Sequence, residues 1–414
     1  MSERYGKRFA LGLLVLLAVA ARPAKTMGES AGKINVSRHL GVVGRVNLGS
    51  YYTPARYVRL VGGWLIRQGV GPGWTIADLS CGYGAFFELS DVAGLSCCRY
   101  VGNDIDSVAI KKAQTYFPQV EFSGHNALVG VSREKFGFGA EERIVIVGNP
   151  PYNDVTSQIN QGIKSFVLPV DPDLRTRDLG ISSLLAYDKI RADLVAVLHP
   201  LSYLIKRQNF SAARAFFLNY RMLDHAVVSS QEFEGTSKTA AFPVIVALYG
   251  RAEGMGISYE DVRETWFRTV EGNRFSLSGF DYVTDEIEKY PSRRRYRPEI
   301  LFYTLRDINA LRRSRTFLIG RISNAVDVDP EKLSHYCYID CFKRFAKVPY
   351  YLGNFNIPFV RDEFRDVEFD MVRVSKHAHP EVFGVSEKPS QKTYARVRAY
   401  IEKSLNGKEC PYAD

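Results

Sequence analysis

The residues Asn149-Pro150-Pro151-Tyr152 combine an amide, prolyl carbonyls and an aromatic ring in one short stretch. An exocyclic amino group on a nucleic-acid base is a poor nucleophile, because its lone pair is delocalised into the ring. Two acceptors on its hydrogens, here Asn149 Oδ1 and the Pro150 carbonyl, favour the pyramidal form and offset the charge that develops during attack. Tyr152 can stack on the face of the same base. This stretch therefore has the groups needed to hold and activate an aromatic amine.

The residues before this stretch predict where it lies in the fold. Positions 144–147 are all branched aliphatic residues without alternation, which predicts a strand buried on both faces. Pro150 and Pro151 end the strand and keep the chain extended. Open α/β sheets bind their ligands at the carboxyl ends of their strands. We therefore expect Asn149 at a ligand-binding edge. The simpler alternative is a strand followed by a proline-rich turn.

An earlier segment has the pattern of a strand followed by a glycine loop. The short apolar run Thr75–Asp78 ends in an acidic residue and leads to Gly82 and Gly84. Glycines allow a tight turn in which the backbone approaches a ligand without interference from a Cβ atom. The pattern predicts a second group of ligand contacts, although a lone pair of glycines is weak evidence for a binding loop.

A second predicted strand ends at Asp104. A carboxylate at this distance after a glycine loop normally accepts hydrogen bonds from ribose hydroxyls. Asp106 is the alternative acidic residue, with a role as a helix cap. A dinucleotide is the alternative ligand, but Phe87 stands where the third glycine of a dinucleotide loop would be.

The residues Tyr52, Thr53 and Pro54 precede an apparent helix from Ala55 to Gln68. A threonine followed by proline is typical of a helix start, with a hydroxyl cap and a proline at the first helical position. By itself the pair predicts only a capped helix.

Taken in order, these motifs resemble those of amino-methyltransferases that use S-adenosylmethionine, a group that includes enzymes acting on adenine in DNA, on rRNA guanine and on glutamine side chains. The Tyr-Thr-Pro element narrows the resemblance to the gamma class of N6-adenine DNA methyltransferases. The resemblance covers residues 47 to 251 and implies a Rossmann-like α/β methyltransferase domain. The motifs that carry it are Tyr52-Thr53-Pro54, Ser80-Cys81-Gly82-Tyr83-Gly84, Asp104 and Asn149-Pro150-Pro151-Tyr152.

The resemblance also implies residue roles at the cofactor. Thr53 would hold the methionine carboxylate, Asp78 would face the methionine amino group, and Asp104 would bind the ribose. Asn126 stands where the family usually has Asp, and its Oδ1 can still accept a hydrogen bond from the adenine amino group. The full set of implied cofactor residues is Tyr52, Thr53, Asp78, Gly82, Gly84, Asp104 and Asn126.

For catalysis, the resemblance implies that Asn149 and Pro150 align the target amino group. Pro151 completes the motif, and Tyr152 stacks on the target base. Phe233 lies in a loop where the gamma class uses a phenylalanine to cover the second face of the flipped base. The alternative for Phe233 is a hydrophobic anchor for its own loop.

The charge distribution predicts a polyanionic partner. The chain carries a formal net charge of +10, and positions 292–321 are dense in arginine with interleaved aromatic residues. Such a surface suits a phosphate backbone, and arginine also suits guanine edges. For any single arginine, a solvated helix face is the better interpretation. For the cluster as a whole we predict contact with double-stranded DNA by Arg293, Arg294, Arg295 and Arg297.

The chain of 414 residues is long enough for two domains. We predict an N-terminal segment at 1–34, a catalytic domain at 35–252, and an α+β target-recognition domain at 253–414. Basic residues and then an apolar run precede Ala21, as in a signal peptide. We favour a misassigned start with Met27 as the true first residue, and a genuine targeting or anchoring segment is the alternative.

The cysteines bear on compartment and metal content. Six cysteines are scattered without a disulfide framework, which favours a reducing compartment, and we expect the protein in the cytoplasm. Cys337, Cys341 and His335 lack a second ligand pair, so no metal is expected. No membrane association is expected unless the N-terminal segment is genuine.

Together these observations predict a site-specific DNA adenine N6-methyltransferase with S-adenosylmethionine as cofactor and a separate cognate restriction endonuclease as a further partner. One alternative is an amino-methyltransferase acting on RNA or on a protein glutamine. Another is a non-catalytic DNA-binding subunit of a restriction complex.

Overall fold

The structure, a computed structural model, describes residues 53–152, 168–233, 241–305, 308 and 315–408. Tyr52 lies outside the described residues. At the centre is a sheet of seven strands. The strands are β1 (Trp74–Asp78), β2 (Arg99–Asn103), β3 (Glu121–Ser123), β4 (Arg143–Gly148), β5 (Leu194–Pro200), β6 (Tyr220–Ser229) and β7 (Pro243–Arg251).

The strand order is β3-β2-β1-β4-β5-β7-β6. Neighbouring strands from β3 to β5 pair in parallel, whereas β7 pairs antiparallel with both β5 and β6. The order 3-2-1-4-5 is that of a Rossmann-like sheet, whose strand order reverses between β1 and β4. The predicted Rossmann-like α/β fold is therefore confirmed, and its reversal point lies beside Asp78 and Asn149.

Helices and short 3-10 segments connect these strands. Ile144, Val145, Ile146 and Val147 are completely buried, as the run of branched residues predicts for a central strand covered on both faces. The helices within this part of the chain are α1 (Ala55–Arg67), α2 (Ser107–Tyr116), α3 (Leu179–Ile190), α4 (Ser202–Ile205), α5 (Arg207–Ala212) and α6 (Arg214–Asn219).

Three local features complete this part of the fold. The glycine loop leads into a 3-10 helix, Ala85–Asp91, which follows Gly84 in a left-handed conformation. The helices α5 and α6 meet at Ala213, and Tyr220 already belongs to β6, where it pairs with Arg251. Asp178 caps the start of α3 by accepting a hydrogen bond from the Gly180 N–H.

The chain beyond residue 252 is α+β, as expected. The short strands are β8 (Phe267–Arg268), β9 (Arg274–Phe275), β10 (Asp281–Tyr282), β11 (Leu301–Tyr303), β12 (Phe317–Leu318), β13 (Ala325–Asp327) and β14 (Pro358–Phe359). The helices are α7 (Tyr259–Glu264), α8 (Leu333–Phe345), α9 (Phe364–Ala378), α10 (Pro380–Phe383) and α11 (Gln391–Asn406). Val262 and Phe267 share one apolar core with Val227 and Tyr249 of the large sheet. The domain boundary at 252/253 stays a prediction.

Candidate active site

The carboxyl end of β1 presents a buried acidic side chain. Asp78 Oδ1 accepts a hydrogen bond of 3.1 Å from the Ser80 N–H. A Cβ atom on Gly148, at the end of β4, would lie only 3.2 Å from the same oxygen, so glycine is needed for this close approach of the two strands. Burial, together with the nearby Asp104 charge, raises the pKa of Asp78 to about 8. Asp78 is therefore suited to a positively charged ligand group.

Asp104 organises the loop at the end of β2. Its Oδ2 accepts a hydrogen bond of 2.7 Å from the Gly82 N–H, and its Oδ1 accepts one of 2.9 Å from the Asp106 N–H. Burial raises its pKa. Asp106 caps α2 by accepting from the N–H groups of Val108 and Ala109. The helix cap is thus Asp106, and Asp104 faces the glycine loop.

Gly82 and Gly84 occupy their positions in the loop for different structural reasons. Gly82 has a φ of 51°, and a Cβ atom there would meet nothing within 4 Å, so the space above this residue is open. Gly84 has a φ of 85°, and a Cβ atom there would lie 2.7 Å from the ring of Phe87. Gly84 is therefore needed for packing, whereas Gly82 leaves room for a ligand beside Asp104.

Sequence reasoning missed Asn103, the last residue of β2, which is 0% exposed. Its Nδ2 donates to the carbonyls of Leu79 (3.0 Å) and His125 (2.9 Å). Its Oδ1 accepts from the Ser123 hydroxyl and the His125 N–H, both at 2.9 Å. Asn103 thereby joins the ends of three strands. The available signal was an amide at the end of an apolar strand.

We expect Asn103→Ala to lower the free energy of unfolding by roughly 2–4 kcal/mol, because it leaves several buried polar groups without a hydrogen-bond partner. Ser123→Ala, which removes one of the four bonds, should cost only about 1 kcal/mol. Urea denaturation of both variants measures the difference. Equal stability of Asn103→Ala and the unmodified protein would show that these bonds do not hold the strand ends together.

Asn126 lies in the loop after β3, and both ends of its amide are engaged. The Oδ1 atom accepts from the Leu128 N–H at 2.9 Å, and Nδ2 donates to the Pro169 carbonyl at 2.8 Å. Because an amide oxygen can accept two hydrogen bonds, this arrangement is compatible with the predicted contact to an adenine amino group. That contact stays a prediction.

Asn149 follows β4 directly, and two hydroxyl groups contact its amide. Asn149 Nδ2 donates to the Thr53 hydroxyl at 3.2 Å, and the Tyr152 hydroxyl donates to Asn149 Oδ1. Thr53 is buried and lies 96 residues away in sequence. Its expected role as a hydroxyl cap was wrong, because Pro54 is the N-cap residue of α1 and no side chain caps this helix. The structure therefore brings together two of the sequence motifs, with Pro150 buried and Pro151 half-buried beside them.

Phe233 is only 4% exposed, and its ring stacks on Tyr57 of α1 with a centroid distance of 6.0 Å. This contact is what the alternative interpretation, a hydrophobic anchor for the loop, requires. A role for Phe233 against a flipped base stays a prediction.

Arg293, Arg294, Arg295 and Arg297 are all exposed. Arg294 lies 3.6 Å from a Glu288 oxygen, and Arg295 lies 3.3 Å from an Asp327 oxygen. Two of the four predicted DNA contacts are therefore already within reach of carboxylates of the same chain.

Other features of the described residues concern metals and membranes. In the part of the chain that the structure describes, no group of three or more His, Cys, Asp or Glu side chains could hold a metal ion. Cys337 and Cys341 are buried on α8, and the His335 ring stacks on Phe364. None of the described helices has the length and apolar character required to cross a membrane.

Comparison with known proteins gives similarities only to solved structures. No protein-family model and no curated protein sequence matches the chain. A Vibrio vulnificus protein assigned as a modification subunit of a type I restriction enzyme is 15% identical, with a TM-score of 0.38 over 65% of this chain and 63% of that one. The type I restriction-modification methyltransferase subunit of Streptococcus thermophilus is 15% identical, with a TM-score of 0.34 over 49% and 45%. TrmN of Thermus thermophilus is 16% identical, with a TM-score of 0.30 over 48% and 52%. The chain thus spans less than two thirds of each of these three proteins, and its fold assignment rests on its own strand order.

Proposed function

We propose that the chain is an S-adenosylmethionine-dependent methyltransferase that modifies N6 of adenine in double-stranded DNA. The observation that carries this proposal is the hydrogen bond between Asn149 and Thr53, at the point where the strand order reverses. It joins the motif suited to an amino group with the motif that resembles a cofactor contact. Asp78 ends β1, which pairs with β4, and Asp104 follows β2, which pairs with β1. Their carboxylates therefore lie at the same edge of the sheet as Asn149.

The residues at this edge fit the proposed cofactor. Among the described residues, no Lys, Arg or His pairs with Asp78, so a buried carboxylate is left to interact with an ammonium group of a ligand. Gly82 leaves open space beside Asp104, whose carboxylate can accept hydrogen bonds from ribose hydroxyls. When bound, S-adenosylmethionine supplies a methyl group on a sulfonium, which needs no metal for activation.

The residues after β4 would orient the target amino group. Asn149 Oδ1 and the Pro150 carbonyl accept its two hydrogens, while Thr53 keeps Asn149 Nδ2 turned away from it. Tyr152 already contacts Asn149 through its hydroxyl, and its ring would stack on the base. Because an adenine in a duplex cannot reach this edge, it must first leave the base stack.

Double-stranded DNA is the proposed partner because of the exposed arginines at 293–297. The Arg294–Glu288 ion pair joins an exposed guanidinium to a partly exposed carboxylate, and such pairs contribute about 0–1 kcal/mol. A phosphate can therefore replace Glu288 at little cost, whereas Arg295 pairs with the buried carboxylate of Asp327. A separate cognate restriction endonuclease is the further partner that this function implies.

The elevated pKa of Asp78 predicts a pH dependence of cofactor binding. Ionisation of Asp78, with a pKa near 8, should strengthen binding of an ammonium group. We expect the affinity for S-adenosylhomocysteine to rise between pH 6.5 and pH 8, with proton release on binding. Calorimetric titration in buffers of different ionisation enthalpy measures both. Asp78→Asn should bind more weakly and lose this dependence; an unchanged pH profile in that variant would contradict the role of Asp78.

The raised pKa of Asp78 also determines how the stability of the folded protein changes with pH. The folded protein keeps a proton on Asp78 that the unfolded chain releases near its ordinary carboxyl pKa. The stability of the ligand-free protein therefore falls as pH rises from about 4 towards 8 on account of this group. Asp78→Asn should remove that part of the decline, which urea denaturation at several pH values would detect.

The substrate class can be tested with the full chain and tritiated S-adenosylmethionine. Unmethylated genomic DNA, total RNA and a protein extract are incubated in parallel. Label in DNA supports the proposal. Label only in RNA or in protein glutamine would replace it with the corresponding amino-methyltransferase. Cofactor binding without label in any of the three would favour a non-catalytic DNA-binding subunit.

A further inference from the structure

The connection between β12 and β13 exposes two aliphatic side chains. Ile319 is 83% exposed and Ile322 is 38% exposed, with Gly320, Arg321 and Ser323 also exposed around them. We call residues 319–323 the tip loop. Single exposed aliphatic residues are common on protein surfaces. Two within five residues, next to a concentration of arginine, indicate a contact surface.

The register of the small sheet places the tip loop beside the predicted DNA contacts. Leu318 of β12 pairs with Leu301, the first residue of β11. Ile319 therefore emerges at the end of the sheet where the chain enters β11, directly after the arginines at 293–297. Arg321 confirms this neighbourhood, because its guanidinium binds Glu299, just before β11.

The tip loop is held in one conformation by contacts on its C-terminal side. Arg321 Nη2 donates to Asp327 Oδ1 at 2.7 Å, and Nη1 donates to Oδ2 at 2.8 Å. The Ile322 carbonyl accepts a hydrogen bond of 2.9 Å from the Ala325 N–H, which closes the turn into β13. A bidentate arginine–carboxylate pair fixes geometry as well as charge. A loop ordered in advance loses little entropy when it inserts into a partner.

The charge around the tip loop favours a polyanion. Among the described residues at this end of the sheet, five arginines are exposed, at 293, 294, 295, 297 and 321, and they contact three carboxylates, those of Glu288, Glu299 and Asp327. The Asp327 side chain is only 5% exposed, and its charge is shared between Arg295 and Arg321. An apolar residue framed by arginines is the arrangement with which proteins enter a base step while they hold the flanking phosphates.

We propose that the tip loop inserts Ile319 between neighbouring base pairs of duplex DNA while the surrounding arginines bind phosphates. This inference rests on the proposed function for its partner and adds the residue that opens the duplex. Insertion separates one base step and unwinds the helix locally. An adenine next to an opened step leaves the stack at a lower cost. Insertion of Ile319 would therefore help the target base to reach Asn149.

The test uses the full chain and a nicked circular plasmid without adenine methylation. The plasmid is sealed with ligase in the presence of protein, and its linking number reports unwinding per bound protein. Fluorescence anisotropy of a labelled duplex measures binding separately. The variants are Ile319→Ala and the matched control Val385→Ala, which alters a side chain that is 99% exposed in the segment between α10 and α11.

We expect the unmodified protein and Val385→Ala to unwind the plasmid equally. Ile319→Ala should lose roughly half or more of the unwinding while retaining binding at low salt, because its arginines are intact. A third variant, Ile319→Leu, keeps a large aliphatic side chain and should unwind the plasmid as much as the unmodified protein does. Unwinding by Ile319→Ala equal to that of the unmodified protein would overturn the inference, as would binding without unwinding by the unmodified protein. A protein that binds no DNA would also contradict the proposed DNA substrate, so the two failures are distinguishable.

Discussion

Replacement of Asn149 by alanine is expected to lower the rate of methyl transfer by at least about 10²–10³-fold, the usual cost of removing one preorganised hydrogen-bonding group at a reacting centre. The substitution removes Oδ1, one of the two acceptors proposed for the target amino group. It also removes the hydrogen bond to Thr53. The cofactor contacts at Asp78 and Asp104 remain, so the affinity for S-adenosylhomocysteine should stay close to that of the unmodified protein. Single-turnover kinetics and calorimetry measure the two effects.

Tyr152→Phe is the matched control for this prediction. It removes the hydroxyl that donates to Asn149 Oδ1 but keeps the ring that would stack on the base. We expect a loss of only about 10-fold in transfer, because the amide acceptor and the stacking surface both remain. Near-normal turnover by Asn149→Ala, or a larger loss in Tyr152→Phe than in Asn149→Ala, would contradict the role assigned to the amide.

Asp104→Ala should have the largest effect on cofactor binding, raising the dissociation constant for S-adenosylhomocysteine by about 10²-fold. The reason is twofold. The substitution removes the proposed acceptor for ribose hydroxyls, and it releases the Gly82 N–H that Asp104 now holds at 2.7 Å. Asp104→Asn, which keeps one acceptor oxygen, should bind with intermediate affinity. Isothermal titration calorimetry provides the three dissociation constants.

Asp106→Asn serves as the control for position and charge. Asp106 is two residues away and caps α2 through its side chain. Asparagine is as good a cap as aspartate, so both helix and cofactor affinity should be preserved. An equal loss of affinity in Asp106→Asn and Asp104→Ala would indicate a general effect of charge at this edge and would contradict a specific contact with Asp104.

The features that could be predicted from the sequence are those determined by residues that lie close together in the chain. The branched residues of β4 and the two prolines after it determine a buried strand and its end without reference to any distant residue. The capping role of Asp106 is local in the same sense, because a side-chain acceptor before a helix bonds to N–H groups two and three residues later. The glycine loop was also recognised, although its 3-10 continuation was not.

The features that could not be predicted depend on pairings between distant residues. Asn103 matters because parallel pairing brings Leu79 and His125 to either side of it, and no local pattern distinguishes it from Asp104. The bond between Thr53 and Asn149 joins residues 96 positions apart. The resemblance assigned Thr53 to the cofactor and Asn149 to the target amino group, but it did not predict contact between them.

The arginine-rich segment likewise contains ion pairs that could not be predicted from the sequence. Composition counts arginines but does not identify their neighbours. Arg295 and Arg321 converge on the buried carboxylate of Asp327, which the sequence places after the basic residues and gives no reason to connect with them. Arg295, one of the four predicted DNA contacts, therefore belongs partly to the internal structure of this region, together with Arg321.

The most direct test of the central claim is the identity of the methylated position. Unmethylated duplex DNA is incubated with the full chain and labelled S-adenosylmethionine, digested to nucleosides, and separated by chromatography with mass detection. The account predicts label in N6-methyladenine with the unmodified protein and almost none with Asn149→Ala. Label in a methylated cytosine, or equal amounts of N6-methyladenine from both proteins, would contradict it.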